Sequence, residues 1–440
     1  MKKTPEYLWI LILLLISYRG SAQTPFGIDN LAVYKIGNGT DTLSGAGFAV
    51  TIDEFTTAGT FVASHPLPIT LIGANKRLVA SGTATSEGLL TRSADKRFLL
   101  ATGYDTFPDP ARLSITGSTV ANVNRSVALL DSDGNIDLTT VLTDAYSVSN
   151  IRGAASSNGT DIWLAGTSTS TSGAGVRYTT RGSTTSTQLS TNVTNIRGIN
   201  IFNGQLYCTS GSGAFKGISA VGTGLPTTSG QTIAVLPGFP NTTASGPDPF
   251  MFSINPAGTI AYVADNRSKL NGGGVQKWTN TGGTWNLAYT LDSGLSLGMR
   301  YITVDWSGTN ATIYGVTSDA IVKNQPGNRI MKLTDVDSVS SFTVLAQAEP
   351  NFVFRGIAFT PEPGSTSTTY TFTGNGNWNL AANWANGAIP PNPLNSGAII
   401  IDPAPGGQCL LNISQTIQAG ASITVRSGKS LIVPGNLQIQ

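Results

Sequence analysis

The chain has 440 residues, 26 basic and 24 acidic side chains, and only 11% charged residues against about 25% in an average soluble protein. Three of the basic and one of the acidic residues lie in the first 23 positions, so the rest is neutral, with 23 of each sign. That excludes an electrostatic drive toward nucleic acid. A single histidine, His65, and no CxxC argue against zinc, and no cofactor motif is found, so no cofactor is expected.

The first segment reads as a bacterial Sec-type signal peptide over residues 1–23. Lys2 and Lys3 open it, Leu8 to Ile16 form an unbroken apolar run, and Gly20-Ser21-Ala22-Gln23 supply the small residues of a cleavage site. The run is shorter than the roughly 20 residues of a membrane helix. The expectation is a secreted, periplasmic or cell-surface protein with no membrane span once the signal is removed.

From there to residue 360 the helical period is nearly absent, and short alternating runs recur between Gly, Asn, Asp and Ser turns, the pattern of strands. Leu31 to Ile36, Phe48 to Asp53 and Thr60 to His65 read as three strands. A repeated hairpin follows. Glu87-Gly88-Leu89-Leu90 turns through Ser93-Ala94-Asp95 into Phe98-Leu99-Leu100-Ala101. Asn150-Ile151-Arg152-Gly153 returns 45 residues later as Asn195-Ile196-Arg197-Gly198, and each copy is followed by an Asn-Gly pair, Asn158-Gly159 and Asn203-Gly204. Asn-Gly is the usual type I′ hairpin turn. Looser copies begin at Phe252, Arg300 and Arg355, the last stopping at Pro361 after one strand.

Four strands per unit of about 40–55 residues are the size of a propeller blade. The reading is an all-β fold, a six-bladed β-propeller over residues 24–360, its last blade completed by the N-terminal strands so that no sheet edge is left open. A seven-bladed ring is the alternative, because residues 71–86 and 216–247 could hide strands. Residues 361–369 read as a linker. Residues 370–440, with short apolar runs about every 8–12 residues, read as a small β-sandwich or β-solenoid module, and the chain ends inside such a run. Cys208 and Cys409 fall in different candidate domains and read as separate thiols.

The stretches Ala84 to Gly88, Asn150 to Ala155, Asn200 to Tyr207 and Gly274 to Trp278 resemble secreted bacterial β-propeller proteins of uncharacterised function. Gly376-Asn377-Trp378 and Asn383-Trp384 resemble β modules of large bacterial surface proteins. The resemblance implies an exported, surface-associated protein and brings no catalytic motif.

If the repeats are inner strands, Glu87, Arg152, Arg197, Arg300 and Arg355 occupy equivalent positions at one mouth of the central channel, and the copy at Phe250 breaks the series. Guanidiniums offer paired planar donors to carboxylate, phosphate or sulfate. The structural alternative spends them on carbonyls of the neighbouring blade, with Glu87 pairing one of them. Asp105 and Asp265, in loops expected at the same mouth, are weak candidates for an acid–base pair, although Asp is also a common turn residue. Asp131 to Asn135 resembles the front of a calcium loop but lacks the later acidic ligand, so a hairpin turn is expected. Trp378 and Trp384 could stack on sugars or be buried structurally. The resulting expectation is a non-catalytic binding or scaffold protein whose partner is an anionic glycan or surface protein. The alternative is an extracellular glycan lyase or hydrolase using carboxylates at the same mouth.

Overall fold

The computed structural model describes residues 24–440 except 112–113, 242–245, 320–321, 364–368 and 419. Residues 1–23, read above as a signal peptide, and the middle of the expected linker lie outside the described residues. The chain divides into two compact units, one ending at Glu362 and one running from Pro363 to Gln440.

The first unit begins with β1 (Leu31–Gly37), β2 (Gly47–Phe55), β3 (Phe61–Pro66), β4 (Val79–Ser81), β5 (Thr91–Arg92), β6 (Leu99–Tyr104), β7 (Arg125–Leu130) and β8 (Ile136–Leu142). Next comes an antiparallel sheet of four: β9 (Ile151–Ser156), β10 (Asp161–Gly166), β11 (Arg177–Thr180) and β12 (Thr187–Gln188). A second contains β13 (Ile199–Phe202), β14 (Gln205–Thr209), β15 (Ile218–Val221) and β16 (Ile233–Val235). A third contains β17 (Pro249–Ile254), β18 (Ile260–Asp265), β19 (Gly274–Thr281) and β20 (Thr284–Leu291). The fourth contains β21 (Met299–Asp305), β22 (Thr312–Thr317), β23 (Arg329–Thr334) and β24 (Thr343–Gln347). The last strand, β25 (Phe352–Phe359), pairs antiparallel with β1, so the two ends of the unit close on each other.

The eight N-terminal strands and β25 form one nine-stranded sheet. Within it β25-β1-β2-β3 and β5-β6-β7-β8 are two antiparallel sets, fused because β4 pairs both β2 and β6. The short β4 is the strand hidden in residues 71–86, and β15 and β16 are those hidden in 216–247.

The first strands of successive sheets meet around a common axis, β5 against β9, β9 against β13, β13 against β17, β17 against β21, β21 against β25 and β25 back against β5. The arrangement is propeller-like. Glycine makes the approach feasible. A Cβ at Gly356 would lie 2.1 Å from the Leu90 nitrogen, and one at Gly153 would lie 2.3 Å from a Leu89 methyl. In that space Gly356 N–H donates to Gly88 O (2.8 Å) and Leu89 N–H to Arg152 O (3.0 Å). Ile199, Met251, Ile302 and Ile357 are buried in the core cluster that these strands share.

The two Asn-Gly turns differ. Asn203 and Gly204 both have positive φ (49° and 72°), as a type I′ turn requires, whereas in the longer 157–160 connection only Gly159 does. There the Asn158 side chain accepts from the Thr160 and Asp161 amides instead. Asp131 likewise closes the 131–135 turn, accepting from the Asp133 and Asn135 amides.

In the second unit the paired strands among the described residues are all parallel, with one isolated antiparallel bridge between Phe372 and Trp384. The strands β26 (Thr369–Phe372), β28 (Gly397–Ile401) and β31 (Ala421–Val425) form one stack. A second joins β27 (Gly376–Asn377), β29 (Cys409–Leu410) and β32 (Leu431–Ile432). A third pairs β30 (Ser414–Ile417) with β33 (Asn436–Ile439). Trp378 and Trp384 are buried in its core with Phe372, and the Trp384 indole donates to Trp378 O (2.6 Å). They pack the module and present no stacking surface. Cys208 and Cys409 are both buried free thiols.

Candidate functional site

Three of the arginines, Arg152, Arg300 and Arg355, sit at bulges. In β9 the pairing steps from Gly153 to Ile151 and skips Arg152, and in β21 it steps from Met299 to Tyr301 and skips Arg300. In β25 it passes from Phe354 to Ile357 over Arg355 and Gly356, and in β17 from Pro249 to Phe252 over Phe250. An unpaired residue in a bulge re-aims its side chain, and here it does so at the same step of four repeats, those of β9, β17, β21 and β25.

A second regularity lies two residues earlier. Asn150 donates to Glu87 Oε2 (2.9 Å), Asn195 accepts from Arg152 Nη1 (2.5 Å), and Asp248 pairs with Arg197. Glu87, Arg152 and Arg197 are thus each held by the Asn or Asp that stands two positions before the equivalent residue of the next repeat. Where Phe250 replaces the basic side chain, its ring lies under two guanidiniums, 4.5 Å from Arg197 and 5.9 Å from Arg300. Arg300 Nε donates to Asn266 Oδ1 (2.7 Å), and Asn266 Nδ2 donates to Asp248 Oδ2 (2.9 Å). Arg197, Asp248, Asn266 and Arg300 are therefore one connected network.

The expected ring resolves into two environments. Arg197 and Asp248 are partly exposed, at 19% and 26% of their side chains, and Arg300 is half-buried. Arg152 is buried, as are Arg355 and Glu87. Arg152, Arg355 and Glu87 are thus closed off from solvent, while Arg197, Asp248 and Arg300 are reached by it. The Tyr301 hydroxyl donates to Glu87 O (2.6 Å) and Thr85 O (3.1 Å), tying β21 to the segment that leads into β5. Glu87 forms no direct ion pair and accepts instead from Ser81 N–H (2.5 Å), Tyr104 (3.0 Å) and Asn150.

The guanidiniums divide their donors between the two expected uses. Arg152 gives one N–H to Ile196 O (2.9 Å), and Arg355 donates weakly to Gly82 O (3.4 Å). The Nε of each is buried with no partner. Burial, with repulsion from Arg197, lowers the pKa of Arg152 to about 10. Burial above all does the same at Arg300, also to about 10, with Arg355 and Arg197 adding repulsion. Both remain cations at neutral pH, in a cluster with more positive than negative charge. Burial raises the pKa of Glu87 against the hydrogen bonds it accepts and the Arg355 charge.

The carboxylates singled out in the sequence are occupied. Asp105 accepts from the amide and Nε of Arg77 (3.2 and 3.0 Å). Asp265 is fully buried, accepting from Arg267 and Gln276. Asp265 is closed off from solvent, and Asp105 is tied to Arg77. The carboxylate in the arginine cluster is Asp248, which the sequence reading missed. Its signal was available, since Asp248-Pro249-Phe250 aligns with Asn150-Ile151-Arg152 and Asn195-Ile196-Arg197. Among the described residues no group of three His, Cys, Asp or Glu side chains is arranged to hold a metal ion.

No family model matches the chain, and no curated protein matches it in sequence. Solved structures do. The periplasmic gluconolactonase of Pseudomonas aeruginosa is 13% identical with a TM-score of 0.42, covering 72% of this chain and 83% of its own. A GH74 enzyme of Niastella koreensis is 14% identical with a TM-score of 0.42, covering 73% of this chain and 46% of its own. The GH74 xyloglucanase of Xanthomonas campestris is 11% identical with a TM-score of 0.39, covering 68% and 43%. These neighbours are bacterial proteins with propeller-like folds, and they are enzymes. The expectation of a non-catalytic binding or scaffold protein is corrected: the similar structures are named as enzymes and lend it no support. At these identities and TM-scores the likeness transfers no activity, residue or substrate.

Proposed function

We propose that this chain is an exported propeller enzyme that cleaves an acidic glycan, with its site at the Arg197–Asp248–Asn266–Arg300 network. The observation that carries the reading is a partly exposed carboxylate, Asp248, set among guanidiniums that outnumber the nearby carboxylates. Export is inferred from the pattern of the first 23 residues. Counting the nine-stranded sheet as two fused blades gives six around the axis, and the parallel stacks of residues 369–439 support a β-solenoid module.

The chemistry favours a lyase over a hydrolase. Inverting and retaining hydrolases need two accessible carboxyl groups, and both other carboxyls near this cluster are buried, Glu87 under Tyr104 and Asn150 and Asp265 against Arg267, Gln276 and the Asp248 amide. Elimination needs a cation to neutralise the uronate carboxylate and one base. Arg197 and Arg300 supply the first, with bidentate donors suited to a carboxylate. Asp248 takes the proton from the carbon next to that carboxylate, the electron pair forms the new double bond, and the glycosidic oxygen leaves with its pair and takes a proton from solvent.

The test is turnover of a panel of uronate-containing and neutral polysaccharides by the mature-length protein. Ultraviolet absorbance of the new double bond should rise with acidic substrates only. Asp248→Asn should lower kcat by roughly 10²- to 10⁴-fold, the usual contribution of a positioned acid or base. Arg300→Ala should mainly raise KM. Reducing ends released without absorbance would replace elimination by hydrolysis, and an unchanged Asp248→Asn variant would remove Asp248 from the chemistry.

A further inference from the structure

The opposite, C-terminal ends of the inner strands form a second cavity that the arginine cluster does not use. Five of these ends, from β5, β13, β17, β21 and β25, line a space of about 320 Å³. It shares Arg92, Lys96, Pro256, Val304, Trp306 and Phe359 with a neighbouring cleft of about 570 Å³. Together they fall in the size range of small-ligand sites.

Trp306, the first residue after β21, is half-buried and held in place. Its ring stacks on Tyr262 with centroids 5.3 Å apart and 27° between planes, and its Nε1–H donates to Ser253 Oγ (3.1 Å). With the donor spent and one face backed, what Trp306 offers the cleft is apolar ring surface. Around it the charges are mixed. Arg92 lies over Phe359 at 5.6 Å and donates to Thr360 O and Glu362, while Lys96 pairs with Glu362 at 3.1 Å. Asp29 and Asp305 also line the outer cleft, so two cations there face three carboxylates. Such a rim has no net attraction for an anion, yet both its donors and its acceptors suit hydroxyl groups.

We propose that this cleft is a binding site for a neutral saccharide, which lays the C–H face of a sugar ring on Trp306 and directs its hydroxyls to Asp305 and Arg92. The site is separate from the proposed catalytic cluster and does not depend on it. The experiment is isothermal titration of the full-length mature protein with cellohexaose, mannohexaose, xylohexaose and a hexauronate. A neutral hexasaccharide should bind. Trp306→Ala should weaken it by about tenfold or more, as expected for truncation of an anchoring aromatic, and Asp305→Ala should weaken it less. Trp306→Phe, which keeps a flat ring, should bind within a few-fold of the wild type and melt at a similar temperature. Arg197→Ala should leave this binding unchanged while impairing turnover of acidic glycan. The proposal is overturned if no neutral hexasaccharide binds, if Trp306→Ala and Asp305→Ala bind as well as wild type, or if the hexauronate binds here in preference.

Discussion

Glu87 shows how much a single side chain is decided by its surroundings. It stands at the position where four other copies place arginine and one places Phe250, yet it is buried and satisfied by Ser81, Tyr104 and Asn150. Burial raises its pKa in the folded state. The folded chain therefore holds this proton to higher pH than the unfolded chain, and wild type loses stability as pH rises through the ordinary carboxylate range toward the folded value. Glu87→Gln removes that dependence. Its melting temperature relative to wild type should climb between pH 4 and pH 8, and a flat difference across that range would contradict the burial argument. Gly356→Ala tests backbone approach instead. With Leu90 N 2.1 Å and Gly88 O 2.6 Å from the new Cβ, the inner strands must separate, at a cost of roughly 1–3 kcal/mol, measurable by urea unfolding.

Among the elements, closure depends on β1. Its pairing runs from Leu31 opposite Phe359 to Gly37 opposite Phe352, and it also pairs β2 along its other edge. Deleting residues 24–37 would leave two long strand edges unpaired, β2 and β25, and exposed edges recruit other chains. The truncated protein should elute as aggregate on size exclusion where the intact protein is monodisperse, and a monodisperse truncated form would show that closure is dispensable. The inner strands also place Arg152, Arg300 and Arg355 alike. A bulge at one step of β9, β17, β21 and β25 is a property of the strand, and it re-aims whatever side chain sits there, Phe250 included.

At the scale of the molecule, each compact unit carries one buried cysteine, Cys208 in the first and Cys409 in the second. Burial pushes both thiols up, Cys409 to about 12, so neither offers thiolate at neutral pH. The native protein should be inert to a disulfide reagent over minutes, and two thiols should appear on denaturation. Mapping which thiol reacts at each urea concentration then reports the unfolding of each unit by itself. A thiol that reacts quickly in native buffer would contradict its buried position.

The strands, the hairpin repeat and the return of the N-terminal strands to the last inner strand were legible in the chain, because alternation and turn residues are local properties and the repeat copies them. The arginine register was legible for the same reason, and one further step along that register would have pointed to Asp248. The uses of these residues were not. Asp105 and Asp265 read as loop carboxylates until Arg77, Arg267 and Gln276 close on them. Arg355 and Glu87 read as mouth residues until the Tyr301 hydroxyl crosses to the segment beside them. The Trp306 cleft has no signature at all, since its lining comes from five strand ends far apart in the chain. Periodicity belongs to neighbours in sequence and so is written there. Burial, donor assignment and cavities belong to neighbours in space, and those are set only when the sheets meet around the axis.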